Sequence, residues 1–197
     1  MRYSMTIAIG VACMVVATYV RPLASQYEPA VKPIFVDYAA PPPAPIDRFA
    51  AEVDAVVRVR IESISFESPV IASVGRPGDV TNYTVRILDI AKAHPMLPPN
   101  QETLIITRLG GQHVENGTTV RSAQVGFEDF QKLGEYVLFL TWSERKNAFN
   151  IAYGPNGSYQ LLPTGIVRPL GQSDVAKAQQ GKRLDTFLQE VKVASVR

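Results

Sequence analysis

Two histidines, one cysteine and a cluster of glycines are the places where this chain could carry chemistry. His113 stands in the run Gly110-Gly111-Gln112-His113-Val114-Glu115-Asn116-Gly117. In an extended segment, residues two apart share a face, so His113 and Glu115 would project together. The zinc deaminases use a histidine–x–glutamate pair, but they also need a downstream P-C-x-x-C. Here no cysteine follows Cys13. One imidazole and one carboxylate are too few ligands for a zinc site. The run is therefore read as a recognition loop with no catalytic group, metal or cofactor: Gly110, Gly111, His113 and Glu115 are binding residues, and the glycines give backbone freedom for close approach to a partner.

The remaining constellations are weaker. His94 precedes Pro95 in a proline-rich stretch with no acid beside it. Glu128 and Asp129 are adjacent, so a strand would turn them to opposite sides. No G-x-S-x-G elbow exists. Gly181-Lys182 resembles the end of a phosphate-binding loop, yet Arg183 follows it and Ala176 stands where the first glycine belongs. Aromatic side chains offer another kind of site, because barrels of the OB type bind oligomeric ligands by stacking. Tyr83, Trp142, Tyr153 and Tyr159 are the candidates, with Tyr153 and Tyr159 added to the binding set and core filling as the competing role. Three N-x-S/T sequons, at Asn82, Asn116 and Asn156, bear only on a eukaryotic secretory route.

The elements that would position these residues are mostly strands. Asp47 to Glu52 reads as a helical turn with Asp47 as N-cap. Residues 53–66 read as one long strand: Val57, Val59 and Ile61 alternate with charged residues, then the apolar phase slips to Ile64 and Phe66. Such a slip needs a bulge, placed near Glu62-Ser63. Further strands are expected at 81–91, 103–109 and 118–125, with a tight turn at Asn116-Gly117. Residues 136–142 are apolar at nearly every position, the pattern of a central strand. Short strands follow at 150–153, 158–162 and 166–168. The tail is helical, with Ser173 as a cap, a break at Gly181, and Leu184, Phe187, Leu188 and Val191 at helix spacing. Consecutive strands with short turns and no βαβ rhythm indicate a mainly β domain, a small antiparallel OB-like barrel with a short C-terminal helix.

The N-terminus sets the expected compartment. Arg2 precedes an uncharged apolar run over residues 5–20, closed by Arg21 and Pro22. The run is shorter than the about 20 residues of a full span, which favours a signal peptide or membrane anchor over residues 1–21. Residues 22–46 form a proline-rich spacer, in which Ile34-Phe35-Val36 is an arm able to pack on the domain. The barrel then covers 47–170 and the helical tail 171–197. The chain carries 20 basic and 18 acidic residues, and the two arginines of the export region precede every acid, so the rest is electrically balanced. That excludes the basic surplus on which nucleic-acid binding depends.

A resemblance rests on several segments in order. "DAVVRVRI" (54–61), "YTVRILDIAK" (83–92), the glycine pair after the third strand, "F-x-x-L-G-E-Y-V-L-F-L" (130–140), "G-S-Y-Q-L" (157–161) and "LDTFLQEVK" (184–192) resemble a group of uncharacterised exported bacterial proteins with an OB-like barrel. The group is similar to the netrin-like domain of tissue metalloproteinase inhibitors. The resemblance covers about residues 50–170 and implies the fold. It implies no mechanism, because those inhibitors act through a cysteine at the start of the domain and this chain has none there. The expected function is a non-enzymatic binding or interaction module, monomeric and outside the cytoplasmic membrane (periplasmic, secreted or anchored). Its partner would be an envelope protein, a peptide or a glycan. The alternative is an envelope hydrolase or protease-inhibitor-like protein with a site around His113.

Overall fold

The computed structural model describes residues 30–34, 45–67, 70–71, 76–77, 79–145 and 147–195. The apolar segment 1–21 and most of the spacer lie outside the described residues. Among the described helices none is long and apolar enough to cross a membrane. In chain order the elements are β1 (Ala30–Ile34), α1 (Ile46–Glu52), β2 (Ala55–Glu67), β3 (Val70–Ile71), β4 (Arg76–Pro77), β5 (Val80–Lys92), β6 (Thr103–Leu109), β7 (Gly111–Glu115), β8 (Thr118–Gln124), β9 (Glu135–Ser143), β10 (Ala148–Ile151), a 3-10 turn (Gly154–Gly157), β11 (Ser158–Leu161), β12 (Val167–Pro169), α2 (Asp174–Lys177) and α3 (Leu184–Ala194). The chain is mainly β, its sheets are antiparallel apart from one pairing, and a short helix closes it.

The main sheet runs β12-β11-β9-β2-β5-β6, with β10 also on β9. β2 and β5, both 13 residues long, pair along most of their length, and the register shifts between Ile61 and Ser63. Glu62 is the extra residue, so the bulge falls where the apolar phase slips in the sequence. Two further irregularities, at Val56/Val57 and Arg58/Val59, have no such signal. Cα atoms of β10 come within 8 Å of β6, but among the described residues no ladder joins them. Trp142 and Phe149 stand between these two strands, with ring centroids 4.9 Å apart.

β9 is the centre. Tyr136 to Leu140 are all buried. Val137 and Phe139 face a helix-side core with Phe49 of α1, Tyr159 of β11, and Phe187, Leu188 and Val191 of α3. Tyr136, Leu138 and Leu140 face a second core with Val57, Val59, Ile61, Val85, Ile106 and Phe130. Phe139 stacks on Phe49 with ring centroids 4.5 Å apart. The tail helix is thus part of the domain's packing, through the stripe its spacing indicates.

The start of α1 differs from the sequence reading. α1 starts at Ile46 with Pro45 as N-cap, and Asp47 sits in its first turn. Proline's fixed φ suits that entry, and an acid in the first turn still favours the positive end of the helix. The far end of α1 is closed from a distance: Lys92 Nζ, at the end of β5, donates to the carbonyls of Ala50 (3.0 Å), Ala51 (2.8 Å) and Val53 (2.6 Å). Burial pushes that ammonium below the ordinary lysine value, with the Asp54 carboxylate opposing it.

On the outer face of the β2–β9 pair, Glu135 accepts from Arg58 and Arg60, each with a closest contact of 2.6 Å. Burial pushes the Glu135 carboxyl up, but the hydrogen bonds and charges of Arg60 and Arg58 together outweigh it and hold it below the usual glutamate value. A carboxyl held down in the folded state adds stability above its unfolded pKa and loses it as pH falls through the folded one. Glu135→Gln is therefore expected to flatten the acid limb of the stability–pH curve below about pH 4.5, read by urea melts. An acid limb as steep as wild type would show that the arginine pair is not the cause. Phe139→Ala is expected to cost about 3–5 kcal/mol in the same melts, the range for a fully buried phenylalanine; a loss below about 1 kcal/mol would contradict burial on both faces.

Candidate functional site

The run 110–117 is a strand and turn rather than a flexible loop. Gly111–Glu115 pairs antiparallel with Thr118–Gln124, with Asn116-Gly117 as the two-residue turn at φ of 51° and 76°. Both central residues at positive φ make the tight hairpin that the Asn-Gly pair favours. The glycine pair serves close packing. A Cβ on Gly110 (φ 97°) would lie 2.7 Å from the Ser122 carbonyl oxygen, and one on Gly111 would lie 2.9 Å from that of Val80. Gly110 N donates to Asp79 O at 2.9 Å, and Thr81 Oγ1 donates to Gly110 O at 2.7 Å. The corner between β6 and β7 is thereby locked to the start of β5.

His113 projects from this ribbon onto a partner 34 residues away. Its Nδ1 lies 2.8 Å from Oδ2 of Asp79, and Ser122 Oγ of β8 donates to the same oxygen at 2.5 Å. Asp79 is buried, while His113 is about one-third exposed at 32%. Glu115 contributes the backbone residue that closes the turn. On the Ser122 side of the cluster lies an open recess of about 300 Å³ lined by Phe66, Thr81, Gly111, Gln112, Arg121, Ser122 and Asp129, which neither His113 nor Asp79 lines. Arg121 is bonded to Asp129. Arg108 of β6 is buried beneath it, 3.5 Å from the centre of the Phe127 ring, and donates to the carbonyls of Phe127 and Glu128. It pins the connector after β8 onto β6.

A serine nucleophile needs the histidine between the hydroxyl and the acid, so that the imidazole takes the serine proton. Here the acid stands in the middle. The hydroxyl and the imidazole both spend a nitrogen or oxygen on the Asp79 carboxylate, which positions them but does not activate Ser122. Among the described residues no group of three or more metal-ligating side chains converges. Neither a family model nor a curated protein matches this sequence.

The aromatic candidates do not gather with His113. Tyr159 is fully buried between Phe139 and Phe187, because β11 turns it towards α3, so it belongs to the core and not to a stacking face. Burial pushes its phenol well above the ordinary tyrosine value. Tyr153, at φ 52°, is half-buried and meets Phe49 edge to face, with ring centroids 5.4 Å apart. Tyr83 is 1% exposed, in the core that Tyr136, Leu138 and Leu140 face. Only Trp142 lines an open groove, of about 500 Å³ at the β6–β10 seam, beside Met96, Ile105 and Phe149.

Asp79 is the residue that the sequence reading misses. It follows Gly78 in a loop-like stretch, and no local spacing ties it to His113 or Ser122. Asp79→Ala is expected to leave both donors without their acceptor and to cost about 1–3 kcal/mol. The loss should concentrate in β7 and β8 as faster amide exchange. Exchange that rises equally in β9 would show that Asp79 has no special hold on the ribbon.

Proposed function

We propose that this chain is a non-enzymatic binding module held outside the cytoplasmic membrane, and that the β7–β8 ribbon is its recognition edge, taking extended polypeptide by strand addition. The observation that carries this is the pairing already made there: Ala30–Ile34, from the proline-rich region ahead of the domain, lies parallel to β8 in the register Ala30↔Val120 to Ile34↔Gln124. Strand addition draws its affinity from main-chain hydrogen bonds along a sheet edge. The ribbon suits that role, since the Asp79 cluster and the glycine corner fix it against β5 before anything binds. The location outside the membrane is supported by the basic start and apolar run of residues 1–21.

The turn decides which amides face outward. In a hairpin with a two-residue turn the flanking pair, Glu115 and Thr118, exchanges both hydrogen bonds, and pairing alternates from there. Val120 and Ser122 therefore point their backbone groups at β7, and Thr119, Arg121 and Ala123 point theirs at the outer edge. Ala123→Pro removes one outward donor and none of the β7 ladder.

A hydrolytic site is the second reading, and the Asp79–His113 contact is what favours it. With Nδ1 protonated and held by the carboxylate, Nε2 is the basic nitrogen, and an oriented base of this kind could activate water. Both readings meet one experiment. The protein is screened against a library of random dodecapeptides and against ester, peptide and glycoside substrates, with Ala123→Pro and His113→Ala in parallel. Peptide capture that Ala123→Pro abolishes, with no turnover, is the expected result. Turnover that disappears in His113→Ala would replace the binding reading with the hydrolytic one.

A further inference from the structure

The strand on β8 says what kind of ligand the edge accepts. From the geometry of the turn, Arg121 N and Ala123 N face β1. In a parallel pair each strand bonds through alternate residues, so Arg121 and Ala123 bond the main chain of residues 30, 32 and 34. Val31 and Pro33 then direct their backbone away from β8. Pro33 has no N–H to donate, and it falls at the position where none is needed, which is where an edge strand tolerates proline. Strand and edge are matched residue by residue in this register, although the two segments are separated by about ninety positions in the chain.

From this match we infer that the β8 edge is a parallel strand-acceptor site for an extended segment of another protein, with free amides at alternate positions and proline allowed between them, and that residues 30–34 are its built-in occupant. This rests on the strand-addition reading and adds the ligand class, its direction and its competitor. The arm joins α1 through residues 35–44, and a short tether of that kind holds it near the edge at an effective concentration in the millimolar range. A partner segment must displace it. Affinity for such a segment is therefore set by two quantities, the match to the edge and the hold of the arm.

The amide pattern makes the test sharp. A labelled synthetic peptide of residues 28–37 (EPAVKPIFVD) is titrated against the full chain in mild detergent, as wild type and as Lys32→Pro. The substitution removes an arm amide directed at β8 and leaves the core residues untouched. Lys32→Pro is expected to bind the peptide about tenfold more tightly than wild type, for a peptide whose affinity for the open edge is about 0.1 mM against a millimolar tether. Adding Ala123→Pro should remove that binding. Methylating the peptide at the Lys32 amide should abolish it too, whereas methylating the Val31 amide should not. Equal binding by wild type and Lys32→Pro would overturn the arm as occupant. Sensitivity to methylation at Val31 and not at Lys32 would overturn the register. If random dodecapeptides are still captured at the edge while this peptide binds neither protein, the ligand class fails and strand addition stands. If neither is captured, both fail.

Discussion

A strand buried on both faces must have its backbone groups paired within the sheet and must present apolar side chains in both directions. β9 carries that constraint here. β2 lies along one edge, and β11 and β10 share the other. The chain turns between the last two at Ala152–Gly157, where Ala152 N donates to Phe139 O at 2.8 Å. A Cβ on Gly157 would lie 2.1 Å from the Ala152 carbonyl oxygen, so only glycine lets this corner close against β9. Helices gather on one face of β9 and the curled sheet on the other. The ribbon that bears His113 is positioned outward from this centre, by way of β2 and β5.

Much of this was legible because it follows from period and burial. The run 136–142 was apolar without alternation, and it is the strand with a core on each side. The phase slip after Ile61 located a bulge, since an alternating strand that keeps a buried face has no other way to absorb an extra residue. Leu184, Phe187, Leu188 and Val191 named the packed face of α3. What escaped was whatever depends on distant partners. Gly110 does use the backbone freedom read from its type, at φ 97°, but the close contacts of Gly110 and Gly111 had no signal, because nothing local shows that β8 and β5 lie against them. Tyr159 belonged by type either to a core, the commoner place for such a residue, or to a stacking face, and the placement of β11 beside α3 puts it in the core.

The Asp79 cluster shows how a set of reactive residue types can be structural in effect. A histidine, a serine and an aspartate meet within hydrogen-bond distance. Their order, with the acid between the other two, makes the contact a brace that ties β7, β8 and the start of β5 together. The edge beyond it is the only one in the described sheets that carries a parallel strand. A rigid edge that presents its amides in a fixed row loses less conformational freedom on pairing than a mobile one.

Lys92 makes the end of α1 depend on a distant part of the chain. The three carbonyls that the ammonium holds belong to residues 50–53, and the lysine arrives about forty positions later, at the end of the second long strand. A helix of seven residues is too short to be stable alone. Its last turn has this partner only when β2 and β5 are paired along their length. The last turn of α1 therefore depends on the β2–β5 pairing, although the helix precedes both strands in the sequence, and the helix-side core draws as well on α3 from the far end of the chain.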